Sequence, residues 1–327
     1  MNIIAYREPG KRLRIFEVRR EKCFPLVVND NCFIVSPFNP DSENLFYSYV
    51  SELQSLPEGL VSSNIIPNLS HKIFNKTDYN QYITIIKNFI GSSQYSKIVA
   101  SRRKVIEYKR TPNEILESLC EQHKNAYVFF ISTKELGTWV GASPELLLKR
   151  ENNTFVSMSL AGTRKAGTKE KWDLKNIKEQ HIVTQYIKKT LQKNHLNIIT
   201  EKTTTQNAGN VEHISTLIKA ELYGTNNFRL TGLLNELAPT PALSGFPKEE
   251  ALKIIWENEG DRVLYGGYCG EIHANGDFSL YVILRCAFLE SEDKAILFAG
   301  GGITCFSDID SEWEETESKF NTLQRFI

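Results

Sequence analysis

The sequence lacks a long apolar run and an excess of charge of either sign, and each absence excludes a class of protein. Its 327 residues include 39 lysines and arginines and 39 aspartates and glutamates. A chain without net charge has no uniform field to attract nucleic acid or an acidic membrane surface, so we expect neither as a partner. The longest apolar stretches, such as Tyr281 to Leu289, are far shorter than the roughly 18 residues of a membrane helix.

Signals for export, disulfides and nucleotide binding are also missing. Residues Met1 to Glu8 contain no basic segment followed by an apolar one, so we expect no secretion signal and a cytoplasmic location. The six cysteines have neither CxxC nor zinc-ligand spacing, which favours reduced thiols. No GxGxxG or Walker-type loop is present, which argues against the common nucleotide sites.

No repeat, low-complexity tract or linker divides the chain, so we predict a single domain over residues 1–327. Predicted strands outnumber helices, and several are separated only by tight turns, which indicates an α/β (α+β) fold with largely antiparallel sheet. The predicted strands are 13–18, 31–36, 97–100, 126–132, 138–142, 145–149, 154–161, 268–273, 278–289 and 294–300. The predicted helices are 79–90, 112–123 with a capping box from Thr111 and Glu114, 173–194, 217–222, 232–237, 248–257 and 311–327.

The last predicted helix carries paired carboxylates. Ser311 is its predicted N-cap with Glu314 at the third position, Glu312 and Glu315 share a face, and Lys319 follows one turn after Glu315. Carboxylates spaced in this way suit a hard cation such as Mg²⁺. The alternative is a solvated acidic first turn stabilised by the helix dipole.

Further candidate residues stand in apolar surroundings. Lys97 begins an apolar strand, where burial would favour a neutral amine that can act as a base. Glu145 follows a tight turn, and burial would let it keep its proton and act as an acid. Glu179 lies on an amphipathic helix, Arg285 interrupts an apolar strand, and His213 is isolated. From the residues alone, each also fits a purely structural role.

Two segments combine small residues with strand ends. They are Leu160-Ala-Gly-Thr-Arg164 and Gly300-Gly-Gly-Ile303. Without bulky side chains, such segments let backbone N–H groups approach an anion closely.

Taken together, these segments resemble the chorismate-utilising enzymes, which include isochorismate, anthranilate, aminodeoxychorismate and salicylate synthases. The similarity extends in order from about Lys97 to Lys319, and its specificity comes from the order of many individually weak motifs. The matching segments begin at Lys97, Gly141, Leu160, Asp173, His213, Pro239, Tyr265, Arg285, Gly300 and Glu312.

Two positions distinguish the branches of this family. Lys97 stands where anthranilate-type enzymes, which use ammonia, have glutamine. Ala242 stands where anthranilate and salicylate synthases usually have threonine. The sequence is therefore most similar to an isochorismate synthase of the menaquinone-specific type, an isomerase without efficient pyruvate elimination. The alternatives are salicylate synthase and a catalytically silent partner subunit that only binds chorismate.

The resemblance also implies the roles of site residues. Lys97 would activate water and Glu145 would protonate the leaving hydroxyl. The metal ligands for Mg²⁺ would be Glu179, Glu312 and Glu315. The substrate-binding residues would be Gly162, Thr163, His213, Ala242, Tyr265, Arg285, Gly301 and Lys319.

The family fold implies two stacked, mostly antiparallel sheets flanked by helices. Residues 1–90 would be a shortened N-terminal part of the sheet pair, and residues 91–327 the chorismate-binding catalytic region. Two departures are Ala238, where isochorismate synthases often have histidine, and Gln180, which replaces a histidine after the metal-binding glutamate. The product would feed menaquinone or siderophore synthesis, and the sequence leaves the oligomeric state open.

Overall fold

A computed structural model describes residues 1–22, 31–61, 72–93, 96–208, 211–224 and 228–327. In these residues strands outnumber helices, which confirms the predicted sheet-dominated α/β fold. The strands are β1 Asn2–Arg7, β2 Arg14–Glu21, β3 Cys32–Ser36, β4 Leu45–Leu53, β5 Lys97–Glu107, β6 Tyr127–Thr133, β7 Gly137–Ser143, β8 Leu146–Glu151, β9 Thr154–Lys165, β10 Leu196–Ala208, β11 Val211–Leu222, β12 Gly245–Phe246, β13 Tyr268–Ile272, β14 Phe278–Val282, β15 Cys286–Leu289 and β16 Lys294–Ile303.

Hydrogen bonds connect these strands in one continuous order, and every described pairing is antiparallel. The order is β10-β11-β9-β8-β14-β13-β3-β4-β2-β1-β6-β7-β15-β16-β5-β12. The sheet folds back on itself, so that Tyr127 of β6 stacks on Tyr281 of β14 with ring centroids 4.1 Å apart. Two stacked antiparallel layers are therefore confirmed, and the hydrogen bonding runs through both.

Helices cover the outer faces of the two layers. Helix α3 Leu174–Lys193 packs on β9, β10 and β11, and α4 Leu230–Leu237 packs on α3. Helices α1 Lys76–Ile90, α5 Lys248–Glu259 and α6 Ile309–Gln324 pack on β5 and its neighbouring strands, and α2 Pro112–Gln122 packs on β6 and β7. None of these described helices is both long and apolar enough to cross a membrane.

Local capping signals decide where two helices begin. The capping box of Thr111 and Glu114 at the start of α2 is confirmed. The predicted start of the last helix at Ser311 is wrong, because the side chain of Asp308 accepts a hydrogen bond from the Ser311 backbone at 2.9 Å and caps α6. The acidic cap adds a first turn, which places Glu312 deeper in the helix than the sequence predicted.

Two other predictions are corrected by sheet pairing. The predicted helix 217–222 is wrong, because this segment belongs to β11 and is paired with β10 and β9 on its two sides. Such pairing overrides a helical pattern in a short segment. The predicted strand 278–289 is also broken, because Arg285 has a φ of +45° and separates β14 from β15.

The N-terminal strands lie in the middle of the sheet. β1 is paired with β2 and β6, and β3 is paired with β4 and β13. The first strands of the chain thus join the two halves of the sheet. The predicted functional division at residue 90 stays a prediction.

A buried ion pair fixes α5 against β5. Glu259 and Arg262 are 2% and 0% exposed, and Arg262 Nη2 lies 2.6 Å from Glu259 Oε1. Arg262 also donates to the carbonyls of Leu243 at 2.8 Å and Val99 at 2.7 Å, and Glu259 accepts from the Ser101 backbone at 2.8 Å. The pair therefore joins α5, β5 and the segment before β12.

We expect Arg262→Met to lower the free energy of unfolding by about 3–5 kcal/mol, because it leaves Glu259 buried without a counter-charge. Urea denaturation measures this, and adding Glu259→Gln should recover part of the loss. The control is Lys253→Met on α5, which removes an exposed pair with 4.0 Å separation and should cost less than about 0.5 kcal/mol. Equal losses in both variants would contradict the assigned role of the pair.

Candidate active site

A cavity of about 710 Å³ lies between strands β5, β9 and β16 and helices α3 and α6. This size falls within the usual range for small-molecule sites. Lys97 and Glu312 do not line it, but each is bonded to a side chain that does, Glu179 and Lys175 respectively. All the other predicted site residues line it, namely Glu145, Gly162, Thr163, Glu179, His213, Ala242, Tyr265, Arg285, Gly301, Glu315 and Lys319.

Lys97 lies behind the cavity lining, next to Glu179. It is the first residue of β5, and its side chain is fully buried. Its Nζ donates to Glu179 Oε1 on α3 at 2.9 Å. Because β5 is paired with β12 on one side and β16 on the other, the lysine stands on a fixed strand. Its action as a base stays a prediction.

Glu145 lies between β7 and β8 and is 2% exposed. Its Oε1 is buried without a hydrogen-bond partner in the described part of the chain. Burial raises the pKa of Glu145 to about 8, and the nearby charge of Lys97 opposes this only in part. At neutral pH the carboxyl therefore keeps its proton, as an acid in this position requires.

Helix α6 supplies two carboxylates and a lysine. Glu312 Oε1 accepts from Lys175 at 2.6 Å, and Glu315 Oε1 accepts from Lys319 at 2.7 Å. Burial raises the pKa of Glu312, although Lys175 opposes the shift. Burial also disfavours the charge on Glu315, but Lys319 and Lys175 outweigh it and lower that pKa. The two glutamates thus differ in how strongly their charge is compensated.

Glycines of β16 let these carboxylates approach the backbone. A Cβ atom on Gly301 would lie 2.9 Å from Glu312 Oε2 and 3.7 Å from Glu315 Oε1. A Cβ atom on Gly302 would collide with Glu179 Oε1. Both glycines lie within the strand and pair with β5, whereas the predicted strand ended at Gly300, before them.

The carboxylates do not form a ready-made metal centre. Across residues 1–22, 31–61, 72–93, 96–208, 211–224 and 228–327, no three His, Cys, Asp or Glu side chains are arranged to hold a metal ion. Each predicted ligand instead faces a lysine. Even so, Glu312 Oε2 is buried without a partner among the described residues, and carboxylate oxygens are the ligands that Mg²⁺ takes. The donor set therefore fits the predicted ion.

A cation, Arg285, also lines the cavity. Arg285 is half-buried, and burial lowers its pKa to about 10. Its Nη2 donates to His213 Nε2 at 3.0 Å, and His213 Nδ1 lies 3.1 Å from the Gly162 carbonyl. Because a guanidinium only donates, His213 carries its proton on Nδ1. Burial, together with Arg285, lowers the pKa of His213 to about 4, so the ring is neutral at pH 7.

No carboxylate of the described residues lies within 4.0 Å of the Arg285 guanidinium. The positive φ of Arg285 is a strained conformation for a residue with a Cβ atom. Strain of this kind persists where the surroundings hold the residue in place, here through His213. An anionic ligand in the cavity would supply the missing counter-charge.

The remaining predicted residues line the same cavity. Gly162 has a φ of +72°, and a Cβ atom there would lie 2.9 Å from Asn176 Oδ1. The same oxygen accepts from the Thr163 backbone at 3.0 Å, which fixes this end of β9 to α3. Tyr265 stacks on Phe298 with ring centroids 5.5 Å apart. Ala242 adds a small apolar side chain to the lining.

Both departures from the family pattern lie outside the cavity lining. Gln180 Nε2 donates to Ser159 Oγ at 2.8 Å and Thr216 Oγ1 at 2.9 Å, so this side chain holds α3 to the sheet behind the site. Ala238 borders a second, smaller cavity of about 150 Å³. Neither Gln180 nor Ala238 is among the residues that line the main cavity.

Lys175 is a residue of the site that was not predicted from the sequence. This residue lines the cavity and is bonded to Glu312. Burial disfavours its charge, but Glu312, Glu179 and Glu315 outweigh that effect and raise the pKa of Lys175. A signal was available, because Lys175 precedes Glu179 by four residues and therefore shares its face of α3. Its partner on α6 could not be inferred from spacing.

The sequence is similar to those of known proteins. The family model described as "Chorismate binding enzyme" matches residues 28–327. Isochorismate synthase EntC of Escherichia coli K12 is 32% identical over 265 residues, which cover 76% of this chain and 66% of EntC. Anthranilate synthase component 1 of Pseudomonas aeruginosa is 28% identical over 268 residues, which cover 78% of this chain and 54% of that protein.

The fold also matches solved structures. Bacillus anthracis DhbC, provisionally assigned as a 2,3-dihydroxybenzoate-specific isochorismate synthase, superposes with a TM-score of 0.80 at 26% identity. The match covers 99% of this chain and 96% of DhbC. By contrast, the chain spans between about half and two thirds of the length of the two curated relatives above.

The raised pKa of Glu145 predicts a pH-dependent stability. Its ordinary pKa is 4.5 and its folded pKa is about 8, so the folded state holds a proton that the unfolded state releases. Stability is therefore lost as the pH rises through this interval. We expect Glu145→Gln to gain about 2 kcal/mol relative to wild type between pH 6 and pH 9, measured by urea unfolding.

The control for this measurement is Glu117→Gln on the exposed face of α2, which should show no pH-dependent difference from wild type. A constant difference between Glu145→Gln and wild type across this pH range would mean that Glu145 is ionised throughout.

Proposed function

Because the chain belongs to the family of chorismate-binding enzymes, we propose that it is an isochorismate synthase that converts chorismate reversibly to isochorismate. The observation that carries the proposal is the pair of Lys97 and Glu145. Both are buried, Glu145 in the cavity lining and Lys97 directly behind it on Glu179. The charge of Lys97 acts on Glu145, and Glu145 has a pKa of about 8. A base and a protonated acid in one site are what a substitution of one hydroxyl by another requires.

The proton transfers balance as follows. Lys97 is paired with Glu179 and must first lose its ammonium proton. As a neutral amine it then takes a proton from the water that attacks C2 of the ring. Glu145 gives its proton to the hydroxyl that leaves C4, while the ring double bonds shift between these positions. One water enters and one leaves, so substrate and product are isomers. Lys97 must then lose a proton and Glu145 must regain one before the next turnover.

The other lining residues bind and orient the substrate. Arg285, held by His213 and lacking a carboxylate partner among the described residues, binds the enolpyruvyl carboxylate together with Tyr265 and the backbone near Gly301. Gly162, Thr163, Ala242 and Lys319 lie around the remaining space for the ring. Mg²⁺ held by Glu179, Glu312 and Glu315 would supply positive charge for the ring carboxylate.

The residues favour this reaction over its relatives. An anthranilate-type amination is disfavoured, because Lys97 stands where those enzymes have glutamine. Salicylate synthase is the nearest alternative and would add pyruvate elimination, which Ala242 argues against. A catalytically silent subunit is the third. The menaquinone route, rather than a siderophore route, and the cytoplasmic location stay predictions.

The product spectrum tests the proposal. Purified protein incubated with chorismate and Mg²⁺ should yield isochorismate alone, and isochorismate supplied instead should return chorismate. Liquid chromatography with mass detection separates the outcomes. Salicylate with pyruvate would favour salicylate synthase, and an aminated product would favour the anthranilate-type reaction. Mg²⁺-dependent chorismate binding in calorimetry without any product over hours would favour the silent subunit.

Two substitutions test the acid and the base. Lys97→Ala and Glu145→Gln should each lower turnover by at least about 100-fold while chorismate still binds, because each removes one proton transfer. In wild type, kcat/KM should fall as the pH rises through about 8, where Glu145 loses its proton. The control is Lys104→Ala on the half-exposed part of β5, which should keep its rate. Near-normal turnover in either variant would remove that residue from its role.

A further inference from the structure

The lysines that face the carboxylates of the site are not equivalent. Lys97 is fully buried at the start of a strand that is paired on both sides. Lys319 is bonded to Glu315 on its own helix and also donates to the Gly300 carbonyl at 2.6 Å. Lys175 is 23% exposed and has one described hydrogen-bond partner, Glu312 on another helix. Lys175 therefore differs from Lys97 in being partly exposed, and from Lys319 in having a single described hydrogen-bond partner.

Only one of the two carboxylate oxygens of Glu312, the partner of Lys175, accepts a hydrogen bond from the described residues. Glu312 is 1% exposed, its Oε1 accepts from Lys175 at 2.6 Å, and its Oε2 has no partner within the described ranges. The ammonium ion provides one positive charge and uses one oxygen. A divalent cation would provide two charges and could use the second oxygen as well as the neighbouring carboxylates. The cation and the ammonium ion repel each other, so each weakens the binding of the other to Glu312.

We propose that Lys175 is a displaceable counter-ion, which neutralises Glu312 in the metal-free protein and leaves it when the divalent cation binds. The inference rests on the metal site of the proposed function and adds a competition to it. The ion pair stabilises a cavity that would otherwise hold an unpaired buried carboxylate, and the same pair weakens metal binding. The metal affinity then equals the intrinsic affinity multiplied by the fraction of molecules in which Lys175 has left.

Three substitutions separate this role from an ordinary structural one. Lys175→Met keeps the length of the side chain and removes its charge. Lys175→Arg keeps the charge, and its planar fork can occupy both oxygens of Glu312. Lys189→Met is the matched control, because Lys189 is exposed on the same helix and makes no hydrogen bond or ion pair with the described residues.

Calorimetric titration of MgCl₂ into each protein without chorismate measures metal affinity, and thermal unfolding in EDTA measures metal-free stability. Lys175→Met should bind Mg²⁺ about tenfold more tightly, as expected if the lysine is displaced in roughly one molecule in ten. In EDTA, Lys175→Met should melt roughly 3–8 °C below wild type. In saturating Mg²⁺, the two proteins should melt at the same temperature. Lys175→Arg should bind Mg²⁺ at least about threefold more weakly, and Lys189→Met should change neither quantity.

A structural lysine would give a different pattern. If Lys175→Met bound Mg²⁺ equally or more weakly, while wild type bound it normally, the counter-ion role would be overturned and the proposed function would stand. If wild type bound no Mg²⁺, the metal assignment of the proposed function would fail and this inference with it. Should Lys175→Met not fold, Lys175→Arg decides alone, because tighter binding by that variant overturns the proposal.

Discussion

The cost of burying charge is the constraint on which this site depends. Glu179, Glu312 and Glu315 are all compensated by lysines at 2.6–2.9 Å. Glu145 has no such partner among the described residues and keeps its proton instead. One residue type therefore provides both anions and a proton donor within a single cavity, and the difference arises from what stands beside each carboxyl.

The antiparallel pairing of β5 with β16 brings these groups together. β5 carries Lys97, β16 carries the glycines that the carboxylates approach, and α6 follows β16 after a short connection. Arg102 of β5 then fixes α6 in place, because its Nε donates to Thr316 at 2.6 Å and its guanidinium lies 3.5 Å from the Trp313 ring centroid. The carboxylates of α6 are thus positioned by the strand next to them, as a precise site requires.

Sequence reasoning predicted most of the fold where the pattern is local. Alternating or continuous apolar runs gave most of the strands, and the Thr111 box gave the start of α2. β10 was missed because its exposed, threonine-rich segment has little apolar alternation and depends on pairing with β11. The break at Arg285 was missed because a positive φ leaves no mark in an apolar run.

The site was predicted less from spacing than from the order of its motifs. Spacing alone left Glu312, Glu145 and Lys97 with structural alternatives, and only the family resemblance gave them roles. Lys175 was missed because its partner lies on another helix far along the chain. Contacts of this kind are set by the sheet topology, which the sequence pattern does not encode residue by residue.

The central place of the first strands has a consequence for biosynthesis. Phe33 of β3 lies opposite Glu271 of β13 in the antiparallel pairing, so early and late parts of the chain are neighbours in the same ladder. A ribosome must release most of the polypeptide before that ladder can close, and until then the edges of the nascent sheet remain unpaired. Slow folding and dependence on chaperones are the expected consequences of this topology.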